Sequence, residues 1–170
     1  MQYPGTGSFH HVELWVPDLP RGWQQWGWLL GELGYEPFQD WKHGRSWQLG
    51  GTYLVIEQSP ALAAAVHDRL RAGLNHLAFH AGDRASVDAL TAAAPAHGWT
   101  LLFPERHPYA GGENHYAAYL ANADGFEVEL VAREPLSGFH LGAEPAGRAG
   151  GQAGRGGPAR HVLQPHGQGP

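Results

Sequence analysis

Two histidines and two glutamates recur at matching places in the two halves of the sequence. Each half opens with a strand-like stretch that carries a histidine and closes with one that carries a glutamate, giving His11 and Glu57, then His76 and Glu129. Imidazole nitrogens and carboxylate oxygens are donors that suit Zn, Ni, Fe, Mn or Co. The pattern predicts one divalent metal site with these four ligands, leaving coordination positions for water or a substrate oxygen.

The stretch DGFEVELV (124–131) places two carboxylates on one face of a strand whose other face is apolar. Side chains alternate across a strand with a period of two, so Glu127 and Glu129 point the same way. Such a face meets either water or a positive group. We predict that Glu129 binds the cation and that Glu127 lies beside it without binding it.

The elements that must position these residues occur twice in the same order: strand, helix and three strands. The first half reads FHHVELWV, then the helix PRGWQQWGWLLGELG, then YEPFQDW, RSWQLG and TYLVIEQ. The second half reads LNHLAFHA, then the helix DRASVDALTAAAPAHG, then TLLFPER, NHYAAYLA and FEVELVAR. The periodicities predict an α+β fold made of two βαβββ modules, at about 8–58 and 73–133.

Capping residues and breakers set the expected ends of the helices. Gly34 is expected to end the first helix, Asp83 or Ser86 to cap the second, and Pro95 to end it. The connecting segment SPALAAAVHDRLRAG is predicted to be partly helical.

Composition limits the classes of protein that this chain can belong to. The 170 residues carry a formal charge of -5 and no basic run, which argues against a nucleic-acid surface. No apolar run approaches the roughly 20 residues of a membrane helix, and no secretory signal opens the chain. The absence of cysteine favours a reducing compartment. We expect one folded domain at 1–134, a flexible Gly- and Pro-rich tail at 135–170, and a cytoplasmic location.

Seven further side chains lie on faces or loops that are predicted to point toward the metal site. They are the expected contacts of a small-molecule substrate: Glu13, Trp15, Arg45, Trp47, His80, His115 and Tyr119.

The openings HHVELWV and NHLAFH, the ending ADGFEVELV and the paired modules resemble the vicinal oxygen chelate superfamily. The resemblance spans roughly residues 8–132, with Ala123 where the superfamily usually has proline. Its members include glyoxalase I, methylmalonyl-CoA epimerase, extradiol dioxygenases and the fosfomycin and bleomycin resistance proteins. The resemblance implies that the mixed sheets curl into a cup around the metal, with the helices flanking it.

The resemblance also orders the candidate functions. The residues His11, His76 and Glu129 match the three ligands of the dioxygenases, and Glu57 either adds the fourth ligand of glyoxalase I or serves as a base, as a glutamate does in the epimerase. It implies a metal-dependent lyase or isomerase of the glyoxalase type, in which Glu57 or Glu129 moves a proton between adjacent carbons. The cluster that binds glutathione in a true glyoxalase I is not evident.

Two alternative functions stay open on the sequence. One is an iron-dependent dioxygenase in which Glu57 does not bind the metal, and another is a metal-free drug- or metabolite-binding protein of the bleomycin-resistance type. Superfamily members pair their modules within one chain or exchange them between two chains, so the chain can act alone or as a homodimer.

Overall fold

The protein is described here by a computed structural model that covers residues 5–133. It confirms the predicted order of elements in both modules. The first module contains β1 (His11–Trp15), α1 (Leu19–Glu32), β2 (Glu36–Trp41), β3 (Gly44–Leu49) and β4 (Thr52–Glu57). The second contains β5 (Leu77–His80), α2 (Arg84–Ala93), a short 3-10 helix (Ala94–His97), β6 (Trp99–Leu102), β7 (Ala117–Asn122) and β8 (Glu127–Val131). The predicted tail, 135–170, lies outside the described residues.

Each module forms its own four-stranded mixed sheet. The strand orders are β1-β4-β3-β2 and β5-β8-β7-β6. In both sheets the first strand of the module runs parallel to the last, and the remaining pairs are antiparallel. These two mixed sheets with their two helices confirm the predicted α+β fold. Neither α-helix in the described part of the chain has the length and apolar composition needed to cross a bilayer.

Helix α1 begins and ends where its local sequence requires. The side chain of Asp18 accepts a hydrogen bond of 2.9 Å from the backbone N–H of Arg21, which satisfies a donor that the first turn would leave unpaired. Gly34 follows the helix with a φ of +85°, a conformation that favours glycine, and its N–H donates to the carbonyl of Gly31. The predicted end at Gly34 is confirmed.

Helix α2 is capped by the first of its two predicted candidates. The side chain of Asp83 accepts hydrogen bonds from the backbone N–H of Ser86 at 2.9 Å and from the hydroxyl of Ser86 at 2.8 Å. Pro95 lies in the 3-10 turn that follows the helix, and Gly98 closes that turn with a φ of +79°. The predicted end at Pro95 is therefore confirmed.

Replacing Asp83 by alanine is expected to lower the melting temperature at neutral pH by an amount that shrinks in acid. The hydrogen bonds from the backbone and hydroxyl of Ser86 lower the pKa of Asp83 below its ordinary value. Because the folded-state pKa is depressed, this stabilisation is present at neutral pH and is lost as the pH falls through the folded-state pKa. Thermal scans between about pH 7 and pH 3 measure the difference. Asp83→Asn, which keeps a capping side chain, is the control, and a pH-independent deficit in Asp83→Ala would contradict the expectation.

The two modules share one apolar core, which lies on the helix-bearing faces of both sheets. Trp26 of α1 is fully buried and packs edge-on against Trp99 at 5.1 Å and near Phe126 at 5.9 Å, both of them in the second module. Arg21 of α1 also forms an ion pair with Asp124, whose side chain is 1% exposed. The other face of each sheet, which we call its outer face, points away from this core.

The segment between the modules, 58–76, contains no helix, so the predicted helical part is wrong. Its backbone is instead hydrogen-bonded to the second module, where the N–H of His67 donates to the carbonyl of Asp124 at 2.9 Å. The ring of His67 stacks on Phe126 at 4.7 Å, and a Cβ on Gly125 would come within 2.1 Å of the His67 carbonyl oxygen. The segment is therefore fixed against the turn that leads into β8.

Candidate active site

Glu129 is the centre of a polar cluster on the outer face of the second sheet. The hydroxyl of Tyr119 donates to its Oε1 at 2.7 Å, and Nε2 of His115 is hydrogen-bonded to the same oxygen. Nε2 of His76 lies 3.2 Å from Oε2. Glu129 lies on β8 and Tyr119 on β7, while His76 directly precedes β5. These three strands are neighbours in the sheet.

The cluster keeps Glu129 in its charged form. Burial by itself would raise the pKa of this carboxyl group, but the hydrogen bonds from His115 and Tyr119 and the nearby imidazoles lower the pKa below its ordinary value. Burial, followed by the hydrogen bond to Glu129, raises the pKa of the Tyr119 phenol, which therefore remains a donor. The site thus holds an anion that is surrounded by imidazole and phenol groups.

The loop between β6 and β7 brings His115 to this cluster by a close approach at Gly111. A Cβ placed on Gly111 would lie 2.6 Å from Cδ2 of His115 and 2.6 Å from the hydroxyl oxygen of Tyr119. Gly111 does not have a positive φ, so the glycine is needed for space and not for backbone conformation. Gly111 was not predicted as part of the site, because a close approach between a loop and a sheet leaves no local sequence pattern.

Replacing Gly111 by alanine is expected to displace His115 or Tyr119 from Glu129 and to destabilise the protein by about 1–3 kcal/mol, the usual range for overpacking. The matched control is Gly31→Ala in α1, where an added Cβ meets nothing within 4 Å. That change is expected to be neutral or stabilising, because alanine is the better helix former. Urea unfolding measures both variants. Equal stabilities for the two would show that Gly111 does not support the cluster.

Glu127 lies on the same face as Glu129 and meets a different partner. Its Oε2 is 2.7 Å from Nε of Arg69, and the Glu127 side chain is 3% exposed. The positive group beside Glu127 is therefore Arg69, whereas imidazole and phenol groups lie beside Glu129. Arg69 was not predicted, because it lies in the connecting segment, where no strand pattern places it on a face.

The structure puts His11 on the outer face of the first sheet. Its ring stacks on Tyr53 at 4.8 Å, and its Nδ1 lies 2.9 Å from Nδ1 of His10. Within residues 5–133, no hydrogen bond, ion pair or ring contact joins His11 to His76 or to Glu129. One chain therefore does not bring the histidines of the two modules together.

Glu57 shares the outer face of the first sheet but lies far from His11 along it. The parallel pairing of β1 and β4 sets Tyr53 opposite His11 and Glu57 opposite Trp15. Four residues of strand separate the two positions, or about 13 Å at roughly 3.3 Å per residue. The structure therefore does not bring Glu57 to His11.

The register also shows which residue of the first module corresponds to Glu129. Glu129 pairs with Ala78, two residues after His76. The residue two positions after His11 is Glu13, and it pairs with Val55. Val55 therefore occupies the place of Glu129, and the matched position that was inferred for Glu57 has to be corrected by two residues.

The expected substrate contacts divide between three places. His115 and Tyr119 belong to the Glu129 cluster. Glu13 and Trp15 lie on the outer face of the first sheet, where they line a cavity of about 540 Å³ together with the connecting segment. His80 instead lines a cleft of about 690 Å³ between α1 and α2.

The orientation expected for Arg45 and Trp47 has to be corrected, because both lie on the helix-bearing face of the first sheet. Trp47 is 3% exposed and belongs to the shared core. Arg45 lies over the ring of Trp23 at 5.4 Å and pairs with Asp40 at 2.7 Å. The strand alternation was read one residue out of phase, so Ser46, which pairs with Val55, faces outward instead.

Comparison with known proteins places the chain in a family. Residues 10–119 match the sequence model of the glyoxalase/bleomycin resistance protein/dioxygenase superfamily. The chain belongs to this superfamily. The predicted resemblance to these vicinal oxygen chelate proteins is thereby confirmed.

Several known proteins are similar to the chain over most of their length. The uncharacterized protein YqjT of Bacillus subtilis is 48% identical over 125 residues, which are 72% of this chain and 97% of that protein. The crystal structure of a candidate glyoxalase from Bacillus halodurans matches with a TM-score of 0.72 and 46% identity, covering 75% of this chain and 97% of the other. The fosfomycin resistance protein FosX of Listeria monocytogenes, crystallised with Mn(II) and sulfate, matches in fold with a TM-score of 0.53 and 19% identity, over 75% and 91% of the two chains.

A divalent ion, which some superfamily members bind, fits the chemistry of the Glu129 cluster. Two donors that bind one ion at about 2.1 Å and at right angles lie about 3 Å apart. The 3.2 Å between Nε2 of His76 and Oε2 of Glu129 matches that spacing. Across residues 5–133, however, no group of three or more histidine, aspartate or glutamate side chains is arranged to hold a metal ion. The described part of the chain therefore offers one pair of suitably spaced donors, and a metal site at this position would require at least one more.

Proposed function

We propose that the protein is a divalent-metal-dependent enzyme of the glyoxalase type, a lyase or isomerase that acts on a small molecule through two neighbouring oxygens. The observation that carries this proposal is the cluster of His76, His115 and Tyr119 around the buried carboxylate of Glu129 on an outer sheet face. Imidazole nitrogens and carboxylate oxygens are donors that Zn, Ni, Fe, Mn and Co sites use.

His76 and Glu129 are the two residues of this cluster that would hold the ion. When bound, a divalent ion polarises neighbouring substrate oxygens and stabilises the negative charge that develops as a proton is removed. Tyr119 and His115 hold the carboxylate in place through their hydrogen bonds to its Oε1.

His11 of a second chain is the proposed third ligand. Within one chain its face points away from Glu129, while its Nδ1 is in contact with His10, which leaves Nε2 to bind an ion. Aromatic side chains on the same face or close to it are unusually exposed, with Phe38 at 47% and Trp15 at 42%. In a homodimer, the outer face of the first module of one chain would pack against the outer face of the second module of the other chain. This contact would cover the exposed aromatic side chains and complete the metal site.

Glu57 is the proposed base in this arrangement. It shares the outer face with Trp15 and Glu13, and its register position separates it from the ligand His11. A carboxylate that does not bind the ion is free to take a proton from one substrate carbon and return it to the next. Glu13 and Trp15 would then contact the substrate near the mouth of the dimeric site.

An iron-dependent dioxygenase is the second candidate. The observation that favours it is the displacement of Glu57, because the remaining ligands His11, His76 and Glu129 form a two-histidine, one-carboxylate set of the kind that non-haem iron oxygenases use. Oxygen consumption with a catechol by the iron-loaded protein would favour this candidate over an isomerase.

A metal-free binding protein of the bleomycin-resistance type is the third candidate. In the described residues both oxygens of Glu129 already have partners, so the cluster is satisfied without an ion. The proposed cytoplasmic location rests on the lack of cysteine and stays a prediction.

Metal analysis of tag-free protein, purified without a nickel column, tests the proposal. The expected result is one tightly bound divalent ion per chain, together with a dimer in analytical ultracentrifugation. His11→Ala and Glu129→Ala chains should each fail to bind the ion as homodimers. Mixed and refolded together, they should regain about a quarter of the wild-type sites, because half of the random dimers have one intact site of two. Metal-free wild-type protein would favour the binding protein, and a metal-binding monomer would overturn the role of His11.

A further inference from the structure

Asn75 links the connecting segment to the histidine of the Glu129 cluster. It lies directly before His76, with its Oδ1 2.8 Å from Nδ1 of that ring. Its side-chain amide nitrogen donates to the backbone carbonyl of Arg69 at 3.0 Å. The side chain of Asn75 therefore contacts both the backbone of the connecting segment and the ring of His76.

These two contacts fix the orientation of the Asn75 amide. A backbone carbonyl can only accept a hydrogen bond, so the group that faces Arg69 must be the NH₂ group. The group that faces His76 is then the carbonyl oxygen, which also can only accept. Nδ1 of His76 must therefore carry the hydrogen of this bond, and in the neutral ring Nε2 carries the lone pair.

The tautomer has a consequence on the other side of the ring. Nε2 of His76 faces Oε2 of Glu129 at 3.2 Å. A lone pair and a carboxylate oxygen at that distance repel one another unless a positive centre, either a second proton on the ring or a cation, lies between them. A divalent ion supplies that centre, and its donors are the atoms that this tautomer presents.

We infer that Asn75 is a positioning residue, which holds His76 in the Nδ1–H tautomer and so presents Nε2 to the divalent ion of the Glu129 site. The inference rests on the proposed metal-dependent function. Asn75 itself touches neither the ion nor the substrate. Its role is to set which nitrogen of its neighbour is available.

The first module has a related contact at the same place in the repeat. His10 directly precedes the proposed ligand His11, and the Nδ1 atoms of the two rings are 2.9 Å apart. Either ring can donate in that contact, so it does not fix a tautomer as the amide of Asn75 does. The comparison shows that in both modules the residue before the histidine contacts its Nδ1 and not its Nε2.

The test is a long-range ¹H–¹⁵N correlation spectrum of metal-free protein labelled at histidine, recorded well above the ordinary histidine pKa. His76 is expected in the Nδ1–H form in the wild type and to lose that preference in Asn75→Ala. Asn75→Asp, which keeps the acceptor oxygen, should restore it. Asn114→Ala is the matched control, because Asn114 also directly precedes a cluster histidine, His115.

Calorimetric titration with Mn²⁺ or Zn²⁺ gives a second reading of the same variants. Asn75→Ala is expected to weaken binding by about 10-fold, as loss of a ligand's hydrogen-bond partner usually does, and Asn75→Asp to recover it. An unchanged His76 tautomer in Asn75→Ala would overturn the inference, whatever the protein binds. A tautomer shift in a wild-type background that binds no divalent ion would overturn the proposed function and leave the positioning by Asn75 intact.

Discussion

Replacing Glu129 by glutamine is expected to abolish tight binding of a divalent ion. The change keeps the shape of the side chain but removes the negative charge and one of the two acceptor oxygens that His76, His115 and Tyr119 surround. Losing only a hydrogen-bond partner of a ligand weakens metal binding by roughly 10–100-fold, so loss of the charged ligand itself should exceed that range. Calorimetric titration with Mn²⁺ or Zn²⁺ measures the effect.

Glu127→Gln is the matched control for that variant. Glu127 lies two residues earlier on the same strand face, is equally buried and pairs with Arg69 instead of with the histidines. It should keep its affinity for the ion, even if the loss of the ion pair reduces stability. If Glu127→Gln weakened metal binding as much as Glu129→Gln, the effect would be one of general charge, and Glu129 would not be a ligand.

Replacing Trp26 by alanine is expected to destabilise the protein by about 3–5 kcal/mol, the range for removal of a large aromatic side chain from a core. Trp26 is fully buried and contacts Trp99 and Phe126 of the other module. The cavity would therefore open where the two modules meet. Urea unfolding followed by circular dichroism gives the change in the free energy of unfolding, and a loss below about 1 kcal/mol would contradict the shared core.

The two phenylalanine variants at this contact separate packing from hydrogen bonding. Within the described residues, the indole N–H of Trp26 has no hydrogen-bond partner, whereas that of Trp99 donates to the carbonyl of Gln25 at 3.1 Å. Trp26→Phe removes a buried donor that is unpaired, while Trp99→Phe removes a buried donor that is paired with a carbonyl. Trp99→Phe is therefore expected to cost more than Trp26→Phe, and the reverse order would show that packing alone decides.

The elements of this fold could be predicted because each has a local cause. Alternation marked the strands, and residues such as Asp83 and Gly34 marked the ends of the helices. The repeat of strand, helix and three strands then gave the α+β class. The connecting segment lacked such a cause: its alanines favour a helix, but contacts of His67 with Phe126 and Asp124 fix it in another conformation.

Register and face could not be predicted as well. Three consecutive apolar residues in β4, Leu54 to Ile56, do not show which of them faces outward or which partner they have on β1. The position of Glu57 along the strand was consequently misjudged by two residues. In β3 the charged Arg45 lies on the same face as the buried Trp47, because its guanidinium stacks on Trp23. Such a mixture hides the alternation on which a prediction from sequence depends.

Half of the candidate site could be predicted from the sequence. His76 and Glu129 were selected by the repeat, and the structure brings them together. The roles of Arg69, Asn75 and Gly111 depend on distances between a loop and a sheet, which no local pattern encodes. The position of His11 depends on which faces of the two modules are packed together, and that choice is made by tryptophans of the core.

Because the two modules share one core, substitutions in the core and substitutions on the outer faces have different reach. Substitutions in the core around Trp26 affect both modules at once, because neither module has a separate hydrophobic core. The two outer faces are separate, so each can change without the other. They differ in this chain: His11 stacks on Tyr53 on the first sheet, whereas the second sheet carries the buried carboxylate of Glu129. A repeat of this architecture therefore constrains its interior as one unit, while each outer face can carry its own binding chemistry.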